Sequence, residues 1–210
     1  MRCQSGRRAA QMACRNVADA DRVDGERDPL GARMTSTSTE RSEPISIVFA
    51  DDGLVPNNPM PFLVYRAAVT LDRDDPAGSI EGVFGRNGWG DMWRNGVYDY
   101  LHYHATVHEV LGVASGTARV RFGGDHGQEL ELKPGDVAIL PAGTGHQCIS
   151  ASTDFCIVGA YPPGPKMQVT RPTPENHARA LQSIPNVPLP ETDPVRGASG
   201  PLTRLWRRAR

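Results

Sequence analysis

The sequence predicts an all-β domain, a sandwich or barrel of short antiparallel strands. Three observations carry that prediction. Short apolar runs recur between Tyr98 and Tyr161, turn clusters rich in Gly and Pro separate them, and the runs alternate in polarity where alternation can be read. The chain holds 22 Gly and 18 Pro, and its hydrophobic share of 39% is low for 210 residues packed throughout. A compact β core with loosely attached ends fits those values.

Residues 1–42 read as a disordered or basic N-terminal extension. Arg7, Arg8 and Arg15 stand there without the apolar run of a secretory signal, and Asp19, Asp21, Asp24, Glu26 and Asp28 weaken a transit-peptide reading. Met34 offers a plausible working start, with the residues before it as an upstream in-frame segment.

Residues 45–49 form a first expected strand and residues 62–70 a second. Asp75 followed by Pro76 marks a helix start, an N-cap and then proline in the first turn. That helix should reach about Phe84, with Gly85 and Gly88 ending it. A Trp- and Gly-rich stretch, residues 88–96, comes next. In residues 117–122, Ala118, Val120 and Phe122 share one face, with Thr117, Arg119 and Arg121 on the other. Turns at 123–127 and 133–136 flank a strand at 128–132. A short apolar strand at 137–140 runs into the turn 141–145, and residues 155–161 form the last clear strand.

The domain plan is therefore a barrel over residues 43–163. A C-terminal stretch, 164–210, has a helix opening at Thr173-Pro174, running to about Ser183, and a Pro-rich arm packed on the barrel. No internal repeat is visible, so one barrel is expected and not a tandem pair.

Composition narrows the function classes. A formal net charge of −1 gives no broad basic footprint for nucleic acid or acidic membranes. The terminal arginines, Arg2, Arg7 and Arg8 at one end and Arg204, Arg207, Arg208 and Arg210 at the other, read as solvated tails. No run of about twenty apolar residues is present, so no transmembrane helix is expected, and a cytoplasmic location is. Cys3 and Cys14 fall in the extension. Cys148 and Cys156 flank a turn and could approach across a hairpin, but they read better as thiols buried in the barrel wall.

One constellation carries chemistry. His102 and His104 are two apart, so in a strand both imidazoles point to one face, with Tyr103 turned the other way toward packing. Glu109 opens a run in which Glu109, Leu111 and Val113 share a side, and His146 follows the Gly143–Gly145 turn. Taken singly, each has an ordinary role in a strand. Three neutral imidazoles and a carboxylate brought together from separate strands suit one divalent transition metal ion with open positions, Fe, Mn, Ni, Cu or Zn. His108, adjacent to Glu109, should face away from the group, and so should Gln147.

The spacing of these residues resembles the double motif of the cupin superfamily. Gly96, His102, His104, Glu109 and Gly116 satisfy every position of the first motif, and Gly135, Pro141, Gly143 and His146 fit the second. Ser150 replaces the Asn that ends it. The resemblance implies a double-stranded β-helix, or jelly-roll, barrel with His102, His104, Glu109 and His146 as metal ligands. The alternative is a barrel that keeps these histidines without metal. Residues 55–59, 88–90, 93–96, 98–100, 108–112, 141–146, 159–164, 187–190 and 193–195 resemble the YjlB-like cupins of bacteria.

Trp93, Arg94, Asn95, Tyr98 and Tyr100 lead into the first motif and could shape a pocket entrance. Trp93 and the tyrosines could equally be core, and Arg94 a loop cap. Arg121 could hold a substrate carboxylate from inside the barrel, although a solvated arginine is the plainer reading. The functional expectation is a metal-dependent oxidoreductase of dioxygenase type acting on a small organic molecule. The alternatives are a metal-dependent isomerase or lyase, with Glu109 the first candidate for its base, and a non-catalytic small-molecule sensor. Open strand edges in small barrels are often covered by a second subunit, so a homodimer is expected.

Overall fold

Several strands of this chain are apolar without interruption, which follows from a sheet covered on both faces. The computed structural model describes residues 43–206. The expectations for the N-terminal extension and for the last arginines fall outside them. In chain order the strands are β1 (Ile45–Ile47), β2 (Phe62–Tyr65), β3 (Gly90–Asn95), β4 (Glu109–Ser115), β5 (Ala118–Phe122), β6 (Gln128–Leu132), β7 (Val137–Leu140), β8 (His146–Ala151) and β9 (Cys156–Tyr161). Three helices join them, α1 (Pro76–Arg86), α2 (Pro174–Ser183) and α3 (Pro201–Leu205), with a single 3-10 turn at Ile184–Asn186. None of the helices among these residues is long and apolar enough to cross a membrane.

The strands build two antiparallel sheets, one of order β1-β2-β7-β4-β9-β3 and one of order β6-β5-β8. The larger sheet sorts its side chains by parity. Phe62, Val64, Leu111, Val113, Ala138, Leu140 and Ile157 point between the sheets and meet Ala118, Val120, Phe122 and Leu132 of the smaller one. Leu63, Tyr65, Val110, Ala114, Val137, Ile139, Val158 and Ala160 point outward, where α1 and the C-terminal segment cover them with Ile80, Phe84, Leu202 and Trp206. The smaller sheet leaves its outer face to water, so β5 keeps the alternation read from its sequence.

Helix α1 begins as expected. The Asp75 carboxylate accepts from the Gly78 N–H at 2.9 Å, and Pro76 occupies the first turn. It seats Ile80 and Phe84 on Gly112 of β4, where an added Cβ would stand 2.6 Å from Ile80 Cγ2 and 3.0 Å from Phe84 Cζ. Gly112→Ala is therefore expected to lift the helix and cost about 1–3 kcal/mol through overpacking. A chemical denaturation series with unchanged slope and a lower midpoint would show it.

Three elements differ from the sequence reading. The strand expected over 62–70 stops at Tyr65 because Ala67 takes a positive φ of 44° and Asp136 captures its N–H, at 2.9 Å. The stretch 88–96 holds an edge strand, β3, interrupted by an irregularity between Gly90 and Trp93 where Asp91 has φ 49°. The C-terminal arm ends in the short helix α3. Cys148 is a free, half-buried thiol, whereas the buried Cys156 is not a free cysteine, which corrects its reading as a buried thiol.

Candidate metal centre

The site sits at one end of the space between the sheets, where His102, His104, Glu109 and His146 are all at most 5% exposed. Glu109 and His146 are the first residues of β4 and β8. His102 and His104 lie on an irregular segment held at both sides, His102 bridging His146 and Tyr103 bridging Thr170. Tyr103 faces away as the two-residue period requires and packs with Val55 and Ala180. The three imidazoles each bring a ring nitrogen within 4.8 Å of the others.

Every one of these histidines is oriented by a main-chain carbonyl. Nδ1 of His102 stands 3.1 Å from Tyr100 O, that of His104 2.8 Å from Gln168 O, and that of His146 3.1 Å from Thr144 O. A carbonyl only accepts, so each Nδ1 must carry the hydrogen. That leaves Nε2, with its lone pair, as the free donor atom on all three rings. Such fixing of the tautomer by the opposite ring nitrogen is how metal-binding histidines are ordinarily prepared.

Glu109 faces two of the three. Its Oε2 lies 3.4 Å from His104 Nε2 and 3.3 Å from His146 Nε2, while Oε1 accepts a hydrogen bond from Tyr161 Oη at 3.0 Å. Oε2 is buried and accepts no hydrogen bond. A buried carboxylate oxygen without a hydrogen bond, set among imidazole lone pairs, is the arrangement a cation would complete, so these residues fit a divalent metal.

The electrostatics differ from ring to ring. Burial, then repulsion from His146, pushes the His102 pKa down to about 3, which keeps that ring neutral. At His104 burial opposes protonation, but the Glu109 carboxylate prevails and lifts the pKa. For Glu109, burial acts upward, yet His104 and His146 hold it well below the carboxylate range.

The Pro141–Gly145 loop that delivers His146 is strapped from three directions. Asn57 Oδ1 accepts from Gly145 N at 3.3 Å, Asn58 Nδ2 donates to Ala142 O at 2.8 Å, and His108 Nδ1 accepts from Ala142 N at 2.9 Å. His108 thus faces away from the centre and packs against Trp206 at a tilt, with ring centroids 4.8 Å apart. Gly143 turns the loop at φ 92°, where a Cβ would collide with Asn57 O at 2.4 Å.

A cavity of about 320 Å³ opens onto the four residues. Of the residues singled out from sequence, Trp93, Arg94, Asn95 and Tyr98 line it, and Tyr100 stands just behind, stacked on Tyr98 at 4.8 Å and beneath the Arg171 guanidinium at 3.8 Å. Arg121 does not line it. It lies on the outer face of β5, paired with Glu129 at 2.9 Å and with Asp125 at 3.5 Å, which corrects its candidacy as a carboxylate anchor. The cavity also takes in Val97, Leu111, Tyr161 and Met167, which the sequence reading had not proposed for it. Gln147 points away and donates to Asp99 O.

Residues 91–158 match the family model described as a cupin domain. YjlB of Bacillus subtilis (strain 168) is 37% identical over 159 residues, covering 75% of this chain and 93% of that protein. The chain belongs to the YjlB-like cupins. Solved structures similar to this cupin include a TDP-quinovose 3,4-ketoisomerase of Campylobacter jejuni, 12% identical. That match covers 42% of this chain and 73% of the other, with a TM-score of 0.35. Another is the acireductone dioxygenase of Bacillus anthracis with a cadmium ion in its active centre, 18% identical. It covers 43% of this cupin and 60% of that chain, under two thirds of its length, with a TM-score of 0.32.

Proposed function

We propose that this cupin is a metal-dependent oxidoreductase of dioxygenase type, with His102, His104, Glu109 and His146 as ligands of one divalent ion and a small enolic or phenolic molecule as substrate. The observation that carries the reading is the three carbonyl-anchored imidazoles, all with Nε2 left as the donor atom, around a buried carboxylate oxygen that accepts no hydrogen bond. A metal bound there supplies Lewis acidity and, for a redox-active ion, a route for electrons between an organic substrate and O₂.

The walls favour a substrate of low charge. Among the described residues Arg94 is the one cation lining the cavity besides the histidines, and its guanidinium is already used. Nε and Nη2 each donate to Glu81 at 2.7 Å, and Nη1 lies 3.7 Å from Asp75. Trp93, Val97, Leu111 and Met167 offer apolar surface. A multiply charged anion would find no free counter-charge on these walls, whereas a planar enol or phenol would bury its body there and present its oxygen to the metal. Isomerase chemistry needs a base beside the metal. Glu109, the only carboxylate lining the cavity among the described residues, is fastened by Tyr161, which favours the oxidative reading.

The test is oxygen uptake by protein reconstituted anaerobically with Fe(II) or Mn(II), against a panel of 1,3-diketones, phenols and short dicarboxylates. Uptake with the first two classes and none with the third is expected. Tight ligand binding with no turnover across the panel would move the protein to the sensor reading.

A further inference from the structure

We propose that Tyr161, oriented by Trp93, is a positioning residue that makes Glu109 meet the metal through Oε2 alone. The proposal rests on the metal-site reading above. It follows from the direction of two hydrogen bonds in series. An indole N–H can only donate, and Trp93 Nε1 donates to Tyr161 Oη at 2.7 Å. The phenol oxygen receives that hydrogen on a lone pair, so its own hydrogen is aimed at Glu109 Oε1, 3.0 Å away. One carboxylate oxygen is thereby occupied. The other is left bare toward His104 and His146.

The backbone sets this chain of donors. Glu109 and Tyr161 each lie one residue beyond the Val110–Ala160 pair that joins β4 to β9, and both side chains point between the sheets. On the other side of β9, Trp93 pairs with Gly159. A Cβ at Gly159 would stand 2.2 Å from Trp93 Cε2, so glycine is what lets the indole lie flat across β9 and reach the tyrosine two residues on. A carboxylate held to one oxygen leaves one more position on the ion for small molecules than a bidentate one would.

The experiment loads the full-length protein with Co(II), whose visible spectrum reports coordination number, and compares wild type with Tyr161→Phe and Trp93→Phe. Tyr161→Phe is expected to weaken Co(II) binding by about 10–100-fold, the usual effect of losing an outer partner of a ligand, and to change the spectrum as Oε1 becomes free. Trp93→Phe should move both readouts the same way by less, and it serves if Tyr161→Phe does not fold. Tyr65→Phe, which removes another buried hydroxyl remote from the site, should lower stability and leave the Co(II) spectrum unchanged. A Tyr161→Phe protein that binds Co(II) with the affinity and spectrum of wild type overturns the proposal. A wild type that takes up no Co(II) overturns the metal reading, and this one with it.

Discussion

Protein carrying His102→Ala together with His104→Ala is expected to emerge without metal under conditions in which the parent, made without an affinity histidine tag, carries a near-stoichiometric ion. The expectation rests on what each ring contributes. His102 and His104 supply two of the three imidazoles, and each is oriented by a main-chain carbonyl, that of Tyr100 and that of Gln168. His146 and Glu109 would remain, a pair too few to hold a first-row divalent ion against water, so affinity should fall by more than the roughly 100-fold that losing a mere outer partner costs. His126 and His177 are retained in the variant, and His177 is already engaged by Asp51 at 2.8 Å, so residual adventitious binding is measured in the same experiment. Inductively coupled plasma analysis of both proteins gives the answer. A parent that stays metal-free after anaerobic reconstitution would remove the metalloenzyme and leave a ligand-binding barrel.

The four candidate ligands were legible as a set because their spacing resembles the cupin double motif, and local backbone rules account for part of the arrangement. A two-residue period puts His102 and His104 on one side, and Gly143, at positive φ, turns the chain three residues before His146. The groups that hold those side chains in place were not legible, because each reaches its partner across a long stretch of chain. Tyr161 lies 52 residues from Glu109, Asn57 lies 88 from Gly145, and the carbonyl that anchors His104 lies 64 residues further on, past the last strand. No periodicity carries such information. The segment 55–59 was noticed only as part of a resemblance, and the contacts of Asn57 and Asn58 explain what it does.

Polarity patterns were informative in proportion to how many faces water sees. On β5 one face is wet, and the alternation assigned Arg119 and Arg121 to it correctly. That same assignment argued against Arg121 as a substrate anchor, and its pairing with Glu129 agrees. On β4 both faces are covered, so the run 110–114 carries no alternation, and only Gly112 hints that a helix presses on its outer side. Edge strand β3 escaped notice because Gly90 and Asp91 break its pattern where the ladder shifts. Helix α2, by contrast, was placed with its Thr173 cap, since capping is decided within one turn.

Asp193→Ala is expected to be the most destabilising single change outside the site. Asp193 is fully buried, and its carboxylate gathers four donors: Tyr65 Oη, Val195 N at 2.8 Å, Arg196 N at 3.0 Å and Leu202 N at 3.1 Å. Burial first, and then the bond to Asp193, push the Tyr65 pKa far upward, so that hydroxyl stays a donor at any ordinary pH. The node fastens the C-terminal segment over the outer face of the larger sheet, and a Cβ at Gly200 would sit 2.2 Å from that of Asp193, which shows how closely the turn is wrapped. Alanine would leave a phenol and three main-chain N–H groups without their acceptor, those of Tyr65 and Leu202 buried and those of Val195 and Arg196 part-buried. Each stranded group costs about 1–3 kcal/mol, and partial hydration of the vacated space makes a total of roughly 3–5 kcal/mol reasonable. For a chain of this size that is a Tm lower by on the order of 10 °C. Asp193→Asn keeps one oxygen acceptor and should lose less, and Tyr65→Phe, which leaves the three N–H bonds intact, least of all. Trp206, whose indole donates to Pro61 O at 2.7 Å, couples the same segment to His108 and so to the loop bearing His146. Protease cleavage in residues 187–206 should therefore precede global melting in Asp193→Ala. Equal melts for all three variants would show that the segment is held by its apolar contacts alone.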